Sequence, residues 1–272
     1  MAQTQVAVIQ MTSTPEVEQN MRSAERLVRR AAEAGAALAV LPEAFAYLGP
    51  EAGQREVSEP LPGGGPLLSR CQEWARTLKL ELVLGGFWER TGDPQRVFNT
   101  SVHLGQGGEV KALYRKIHLF DVDLADGTSL RESDKVAPGE DIVVTEAPFG
   151  TLGLSICYDV RFPELYRKLV ERGAIALTVP AAFTLHTGKD HWHVLLQARA
   201  IESQAYVLAA AQSGNHFGKR VSYGHALIVD PWGCVIAQAG GEGEAAVIGS
   251  VDTEVVDRIR TQLPSLKNRR LI

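Results

Sequence analysis

A chain of 272 residues with 45% hydrophobic and 22% charged residues has the ordinary balance of a globular protein and enough length to bury a real core. The net charge is −4, from 28 basic and 32 acidic residues, and no basic patch stands out, which argues against nucleic acid as a partner. Three widely spaced cysteines (Cys71, Cys157, Cys234) with no Cys-x-x-Cys pair argue against a disulfide framework or a thiolate zinc site and fit a reducing, cytoplasmic setting. The N-terminus lacks a basic segment followed by an apolar core, so no signal peptide is expected. Gln5 to Met11 then alternates weakly and reads as a strand. Thr14-Pro15-Glu16 is a helix start, with a capping hydroxyl, a proline and an acid in the first turn. Val17, Met21, Ala24, Leu27, Val28 and Ala31 follow at helical spacing until Gly35. Ala36 to Leu41 is a continuous apolar run, as in a strand covered on both faces, and it closes a β-α-β unit at Pro42-Glu43.

The pattern then repeats. Pro66 to Lys79 is helical, and Leu80 to Trp88 reads as a strand broken by Gly85-Gly86. Val97 to Leu104 and Val110 to Tyr114 flank a glycine-rich turn and form a hairpin. Arg115-Lys116-Ile117-His118 follows directly, and residues 121–140 read as a long polar loop of the kind that covers a site. Leu152, Leu154 and Ile156 deliver Cys157 to a sharp elbow, with a helix starting near Pro163 and continuing from Glu164 to Arg172. Ala174 to Val179 is a buried strand; the apolar stretch reaching Leu185 contains Pro180 and is too short to span a bilayer, so no membrane partner is expected. His191 to Gln204 is a helix with Val194, Leu195, Ala198 and Ile201 inward. Tyr206 to Ala211, Ala226 to Val229, Cys234 to Ala237 and Ala246 to Val251 are strands, with Asp230-Pro231-Trp232-Gly233 as a type I turn, and Thr253 caps a last helix to Gln262. With no linker or internal boundary, residues 1–272 read as one α/β domain with a mixed sheet under helices.

Glu43, Lys116 and Cys157 each follow or end an apolar strand-like run, where open α/β sheets place their ligands. A carboxylate, an ammonium and a thiol meeting in a low-dielectric pocket form a working set. The lysine favours thiolate and can hold an oxyanion with the N–H of Tyr158, and the carboxylate can carry protons. Bland alternatives stand beside each: a buried hydrophobe for Cys157, a helix cap for Glu43, a solvated hairpin residue for Lys116. A Cys–His pair with His118 has no local signature. His191 and His193, two apart on a helix, do not share a face for a metal. Gly63-Gly64-Gly65 lacks the lysine and hydroxyl of a phosphate loop.

The sequence resembles the carbon–nitrogen hydrolases of the nitrilase superfamily. Leu41-Pro42-Glu43 matches the motif of the family's base, Tyr114-Arg115-Lys116-Ile117-His118-Leu119-Phe120 that of its lysine, and Cys157-Tyr158-Asp159-Val160-Arg161-Phe162-Pro163-Glu164 that of its nucleophile. Glu132, in Leu130-Arg131-Glu132-Ser133, matches a second glutamate that positions the lysine or the substrate. The resemblance implies a four-layer α-β-β-α sandwich and homodimers joined through helices after the nucleophile strand. It implies no cofactor and no metal, and hydrolysis of a non-peptide C–N bond through a thioester on Cys157. Glu43 would protonate the leaving group and activate water, and Lys116 would steady the oxyanion.

Ala209-Ala210-Ala211-Gln212-Ser213-Gly214-Asn215-His216, Arg220-Val221-Ser222-Tyr223-Gly224-His225 and Asp230-Pro231-Trp232-Gly233 look like the branch that hydrolyses deaminated glutathione to 2-oxoglutarate and cysteinylglycine, a metabolite repair. The implied partner is a small amide bearing an α-keto carboxylate. Arg161 can offer that carboxylate a planar fork, the alternative being an ion pair with Glu164 or Asp159. Tyr47, Phe183 and Thr184 are expected by analogy as pocket lining, and His216 and Tyr223 on a loop near the mouth. An ω-amidase on 2-oxoglutaramate, another small amide or nitrile hydrolase, and a catalytically silent scaffold are the competing readings. The intact Glu43, Lys116 and Cys157 argue against the scaffold.

Overall fold

Strand β1 (Thr4–Met11) shows how the layers are built. Side chains alternate across a strand, and here both faces are apolar. Val6 and Val8 join a core with Leu38 and Val40 of β2 (Leu38–Leu41) and Val83 of β3 (Glu81–Arg90). Ala7, Ile9 and Met11 join a separate core with helices α1 (Val17–Glu33) and α3 (Pro66–Leu78), to which α1 gives Met21, Ala24, Leu27, Val28 and Ala31. A strand with two apolar faces needs a layer on each side. The outer layer is helical and the inner one is a second sheet. The computed structural model describes residues 3–123 and 129–271.

The first sheet runs β13-β12-β1-β2-β3-β4-β5, where β4 is Val97–Leu104, β5 Val110–Arg115, β12 Ala211–Phe217 and β13 Arg220–Tyr223. Strand β16 (Ala245–Val251) pairs antiparallel along β1. The second sheet runs β15-β14-β11-β10-β9-β8, comprising β8 (Val144–Ala147), β9 (Gly150–Gly153), β10 (Ala176–Thr178), β11 (Tyr206–Ala209), β14 (Leu227–Val229) and β15 (Val235–Gln238). Leu152, Leu177, Val207 and Ile228 of this sheet share the inner core with β1 and β2, as do Leu165 and Leu169 of α4 (Pro163–Glu171) and Trp192 and Leu196 of α5 (Leu185–Ser203). The result is an α-β-β-α sandwich. Helix α6 (Thr253–Gln262) buries Val256 and Ile259. No described helix is long and apolar enough to cross a membrane.

Several expectations need correction. Gly85-Gly86 breaks the register with β4 between Leu84 and Phe87 but not the strand. Helix α2 (Glu51–Val57), which has no buried residue and therefore no apolar period, is additional. So is the β8–β9 hairpin, whose second strand ends before Leu154. The 121–140 loop contains a short pairing of β6 (Asp121–Asp123) with β7 (Ser129–Arg131) and a 3₁₀ turn over Glu132–Asp134; residues 124–128 lie outside the described residues. The run Tyr206–Ala211 is two strands in different sheets, since β11 pairs with β10 and β12 with β1. Helix α5 starts at Leu185, not His191, and turns the other way: Trp192, Leu196, Arg199 and Ala200 are buried, while Val194 and Ile201 are 65% and 52% exposed. Asp252, not Thr253, caps α6, its carboxylate accepting from Glu254 N at 2.9 Å.

Candidate active site

Glu43 lies just past the end of β2, and its backbone is held from two sides. Ala44 N donates to Gly86 O at 3.1 Å, and Gln212 Nε2 donates to Glu43 O at 3.0 Å. Gly86 has to be glycine here, because a Cβ would sit 3.0 Å from Glu43 Cα and 2.9 Å from Ala44 N. The glycine pair that breaks the register thus lets the glutamate loop press against the sheet. The buried carboxylate is saturated: Oε1 accepts from Asn99 Nδ2 (2.9 Å) and Lys116 Nζ (3.0 Å), and Oε2 from Ala182 N (2.8 Å). The Cys157 thiol lies close enough to this carboxylate that each shifts the ionisation of the other.

Lys116 follows β5 and is 2% exposed. Its backbone N donates to Asn99 O (2.9 Å) and its carbonyl accepts from Gly139 N (2.8 Å). Its Nζ is shared with Glu132, at 3.0 Å from Oε1 and 2.8 Å from Oε2, and Phe120 N donates to that Oε2 at 2.6 Å.

Cys157 opens a 3₁₀ turn (Cys157–Arg161) with φ +47°, a conformation that costs a non-glycine residue about 1–3 kcal/mol. Its own N–H donates to Pro180 O at 2.9 Å. The first bond of the turn runs from Asp159 N to Ile156 O (3.0 Å), so the turn supplies no acceptor for Tyr158 N. The elbow is tied to the lysine loop through the fully buried Asp159 carboxylate. Ile156 N (2.8 Å) and Tyr114 OH (2.7 Å) donate to Oδ2; His118 N (3.1 Å) donates to Oδ1, which also bonds His118 Nδ1 (2.8 Å). The His118 ring stacks on Phe162 at 3.8 Å.

Charge balance sets the protonation states. Burial pushes the Glu43 carboxyl up, but the Lys116 charge, the neighbouring Cys157 thiol and the bond from Ala182 outweigh it and hold the group below the usual carboxylate range. Burial works against the Lys116 ammonium, but Glu132 and Glu43 overcome it and hold the group well above the ordinary lysine value. Burial, followed by the charge of Glu43, pushes the Cys157 thiol well up. Lys116 favours the thiolate, but burial and then the charge of Glu43 outweigh it. What rests in the site is a thiol aimed at an ionised base.

Tyr158, Arg161, Phe183 and Thr184 line the cavity that holds Glu43, Lys116, Glu132 and Cys157. The Arg161 guanidinium lies 5.1 Å from the Phe183 centroid and 5.8 Å from that of Tyr158, with Nη1 3.3 Å from His191 Nδ1. Neither Glu164 nor Asp159 pairs with it. Tyr47 is not on the wall: its hydroxyl donates to Pro50 O (2.9 Å) and its ring lies under Gly49 and Gly53, supporting α2. His216 and Tyr223 are also off the wall. His216 is buried, bonded to Ser13 O (2.7 Å) and Ser222 Oγ (2.8 Å), and burial lowers its pKa to about 4. Asn99 and the Ala182 N–H were not foreseen. Asn99 lies among other polar residues (Thr100, Ser101, His103) of the strand Val97–Leu104 and carried no distinct signal, and a backbone N–H carries none. Among the described residues, no group of three or more His, Cys, Asp and Glu side chains could hold a metal ion.

The sequence matches the carbon-nitrogen hydrolase family over residues 5–261. The chain belongs to that family. It is 47% identical over 270 residues to the deaminated glutathione amidase of Bos taurus, covering 97% of this chain and 81% of that protein. The protein of the same name from Synechocystis is 44% identical, with 97% of each chain covered. The crystal structure of Saccharomyces cerevisiae Nit3, a member of branch 10 of the nitrilase superfamily, superposes with a TM-score of 0.88 at 32% identity, covering 99% of this chain and 97% of that one. This carbon–nitrogen hydrolase is thus a nitrilase-superfamily enzyme acting on small-molecule C–N bonds outside peptides.

Proposed function

We propose that the chain hydrolyses deaminated glutathione to 2-oxoglutarate and cysteinylglycine through a thioester on Cys157. Glu43 accepts the thiol proton as Sγ adds to the amide carbonyl. Lys116 Nζ and the N–H of Tyr158 hold the oxyanion, and Glu132 keeps Lys116 in place. Glu43 passes the proton to the departing amine nitrogen, the C–N bond breaks, and cysteinylglycine leaves. Water then enters. Glu43 takes its proton as hydroxide adds to the thioester, and collapse of the adduct expels the Cys157 thiolate, which recovers that proton from Glu43. Proton transfer by a base already in contact with its nucleophile is worth roughly 10²- to 10⁴-fold.

The observation that carries the substrate reading is Arg161. This half-buried guanidinium beside the nucleophile has no carboxylate partner among the described residues. An α-keto carboxylate supplies one, in the planar geometry that arginine matches. The relatives named for deaminated glutathione support the same choice. The exposed Val194, Ile201, Trp232 and Ile236 support a homodimer formed across α5, and the cysteine usage supports a cytoplasmic setting.

Product analysis tests the substrate. Deaminated glutathione and 2-oxoglutaramate are offered side by side, with Cys157→Ala as the blank. The expected result is faster release of 2-oxoglutarate from deaminated glutathione. Faster release from 2-oxoglutaramate would replace the assignment with an ω-amidase.

A further inference from the structure

The reaction centre sets two carboxylates, Glu43 and Glu132, against one ammonium, Lys116. That excess of negative charge opposes an anionic substrate, so attraction has to come from other cations of the same cavity. Arg131 pairs with Asp123 at 2.5 Å, and Lys135 stands exposed, where water screens it. Arg161 and Arg220 remain, both part-buried and both on the cavity wall.

Arg220 opens β13 and lies opposite Phe217, another wall residue, in the β12–β13 hairpin. Two residues along the strand, Ser222 bridges to Thr184, and Tyr223 N donates to Phe183 O at 2.9 Å. The strand that carries Arg220 is thus fastened to the Phe183–Thr184 wall over which Arg161 lies. No carboxylate of the described residues pairs with Arg220. Its Nε is buried and has no acceptor among them. A buried donor left without an acceptor costs free energy that a ligand oxygen would recover. The nearby His216 has both ring nitrogens engaged and, kept neutral by its lowered pKa, adds no second positive charge beside Arg220.

We propose that Arg220 binds a carboxylate on the leaving-group side of the substrate, so that Arg161 and Arg220 hold one molecule by carboxylates at its two ends. The proposal rests on the substrate reading above and extends it to the departing half. The leaving dipeptide of deaminated glutathione ends in a glycine carboxylate, whereas the ammonia of 2-oxoglutaramate has none. Discrimination between these amides would then reside in one guanidinium on β13.

The test compares kcat/KM for deaminated glutathione and for its C-terminal carboxamide, in which that one charge is removed. The wild type should prefer the carboxylate by about 10- to 100-fold, the range for a hydrogen bond to a charged group. Arg220→Gln should bring the ratio close to one, and Arg220→Lys should keep part of it. A wild-type ratio near one overturns the proposal without needing a variant, as does an unchanged ratio in an Arg220→Gln protein of normal melting temperature. If the wild type hydrolyses neither compound but does hydrolyse 2-oxoglutaramate, the substrate reading fails and the proposal falls with it.

Discussion

Two glutamate–lysine pairs flank strands β3, β4 and β5, Glu81–Lys111 at the starts of β3 and β5 and Glu43–Lys116 just past the ends of β2 and β5, and only one of them is built for chemistry. At the far end Glu81 bonds His103 Nε2 (2.9 Å) and Lys111 Nζ (3.2 Å), and His103 Nδ1 bonds Thr145 Oγ1 (3.0 Å). Burial raises the Glu81 carboxyl, but His103 and Lys111 outweigh it and hold it below its ordinary value. At the near end Glu43 is held down in the same sense. The difference lies in what else is present. The far pair has a quarter-exposed lysine and does not line the cavity that holds Cys157. The near pair has a lysine 2% exposed, a second carboxylate on that lysine, and a thiol on the first. A buried ion pair is weak grounds for function. A buried ion pair with one carboxylate in excess, beside a nucleophile on the wall of a cavity, is strong grounds.

Removing the thiol breaks the comparison most severely. Cys157→Ala should lose about 10⁴- to 10⁶-fold in kcat while keeping its melting temperature, as measured by steady-state assay and thermal unfolding. Glutamate swaps come next. Glu43→Gln should cost roughly 10²- to 10⁴-fold in kcat/KM, whereas Glu81→Gln should leave kcat near wild type and lower stability by about 1–3 kcal/mol in denaturant titration. The lysines should separate in stability: Lys116→Met strands two carboxylates and should cost about 3–5 kcal/mol, Lys111→Met about 1 kcal/mol or less.

Acid sharpens the same contrast. Both glutamates have folded pKa values below their ordinary 4.5. Each therefore contributes stability that is fully present above 4.5 and is lost as pH falls through the lowered value. Activity should fall in that window only through Glu43. Glu81→Gln should then flatten the acid slope of stability and leave the acid limb of kcat/KM in place. The smallest effect belongs to the wall: Arg161→Lys should raise KM for anionic substrates about tenfold, because an ammonium lacks the fork.

The near end was legible because Glu43, Lys116 and Cys157 each sit beside the end of an apolar run. The far end gave no such signal, since Glu81 and Lys111 are ordinary charged residues until the sheet pairs them. Layering was legible in β1, α1 and β2, where local periodicity matches the tertiary environment. It failed in α5, where Val194 and Ile201 are apolar but exposed. There Arg199 is buried instead, donating to Val160 O (2.8 Å) with its guanidinium 5.5 Å from the Tyr166 ring. Periodicity cannot separate an apolar face that meets the core from one left open on the surface. The change of sheet at Ala210 was hidden because the apolar run continues unbroken from Tyr206 through Ala211, with no turn residue between β11 and β12. The bond from Asn99 to Glu43 spans 56 residues and becomes visible only once the strands are paired.

The most direct test is to quench the wild-type enzyme in acid during turnover of deaminated glutathione and weigh the peptide that contains Cys157. The expected peptide carries a 2-oxoglutaryl group, more abundant at early times than after the substrate is exhausted and absent from Cys157→Ala. An unmodified Cys157 peptide at every time point, together with turnover that survives in Cys157→Ala, would contradict the thioester and with it the roles of Glu43 and Lys116.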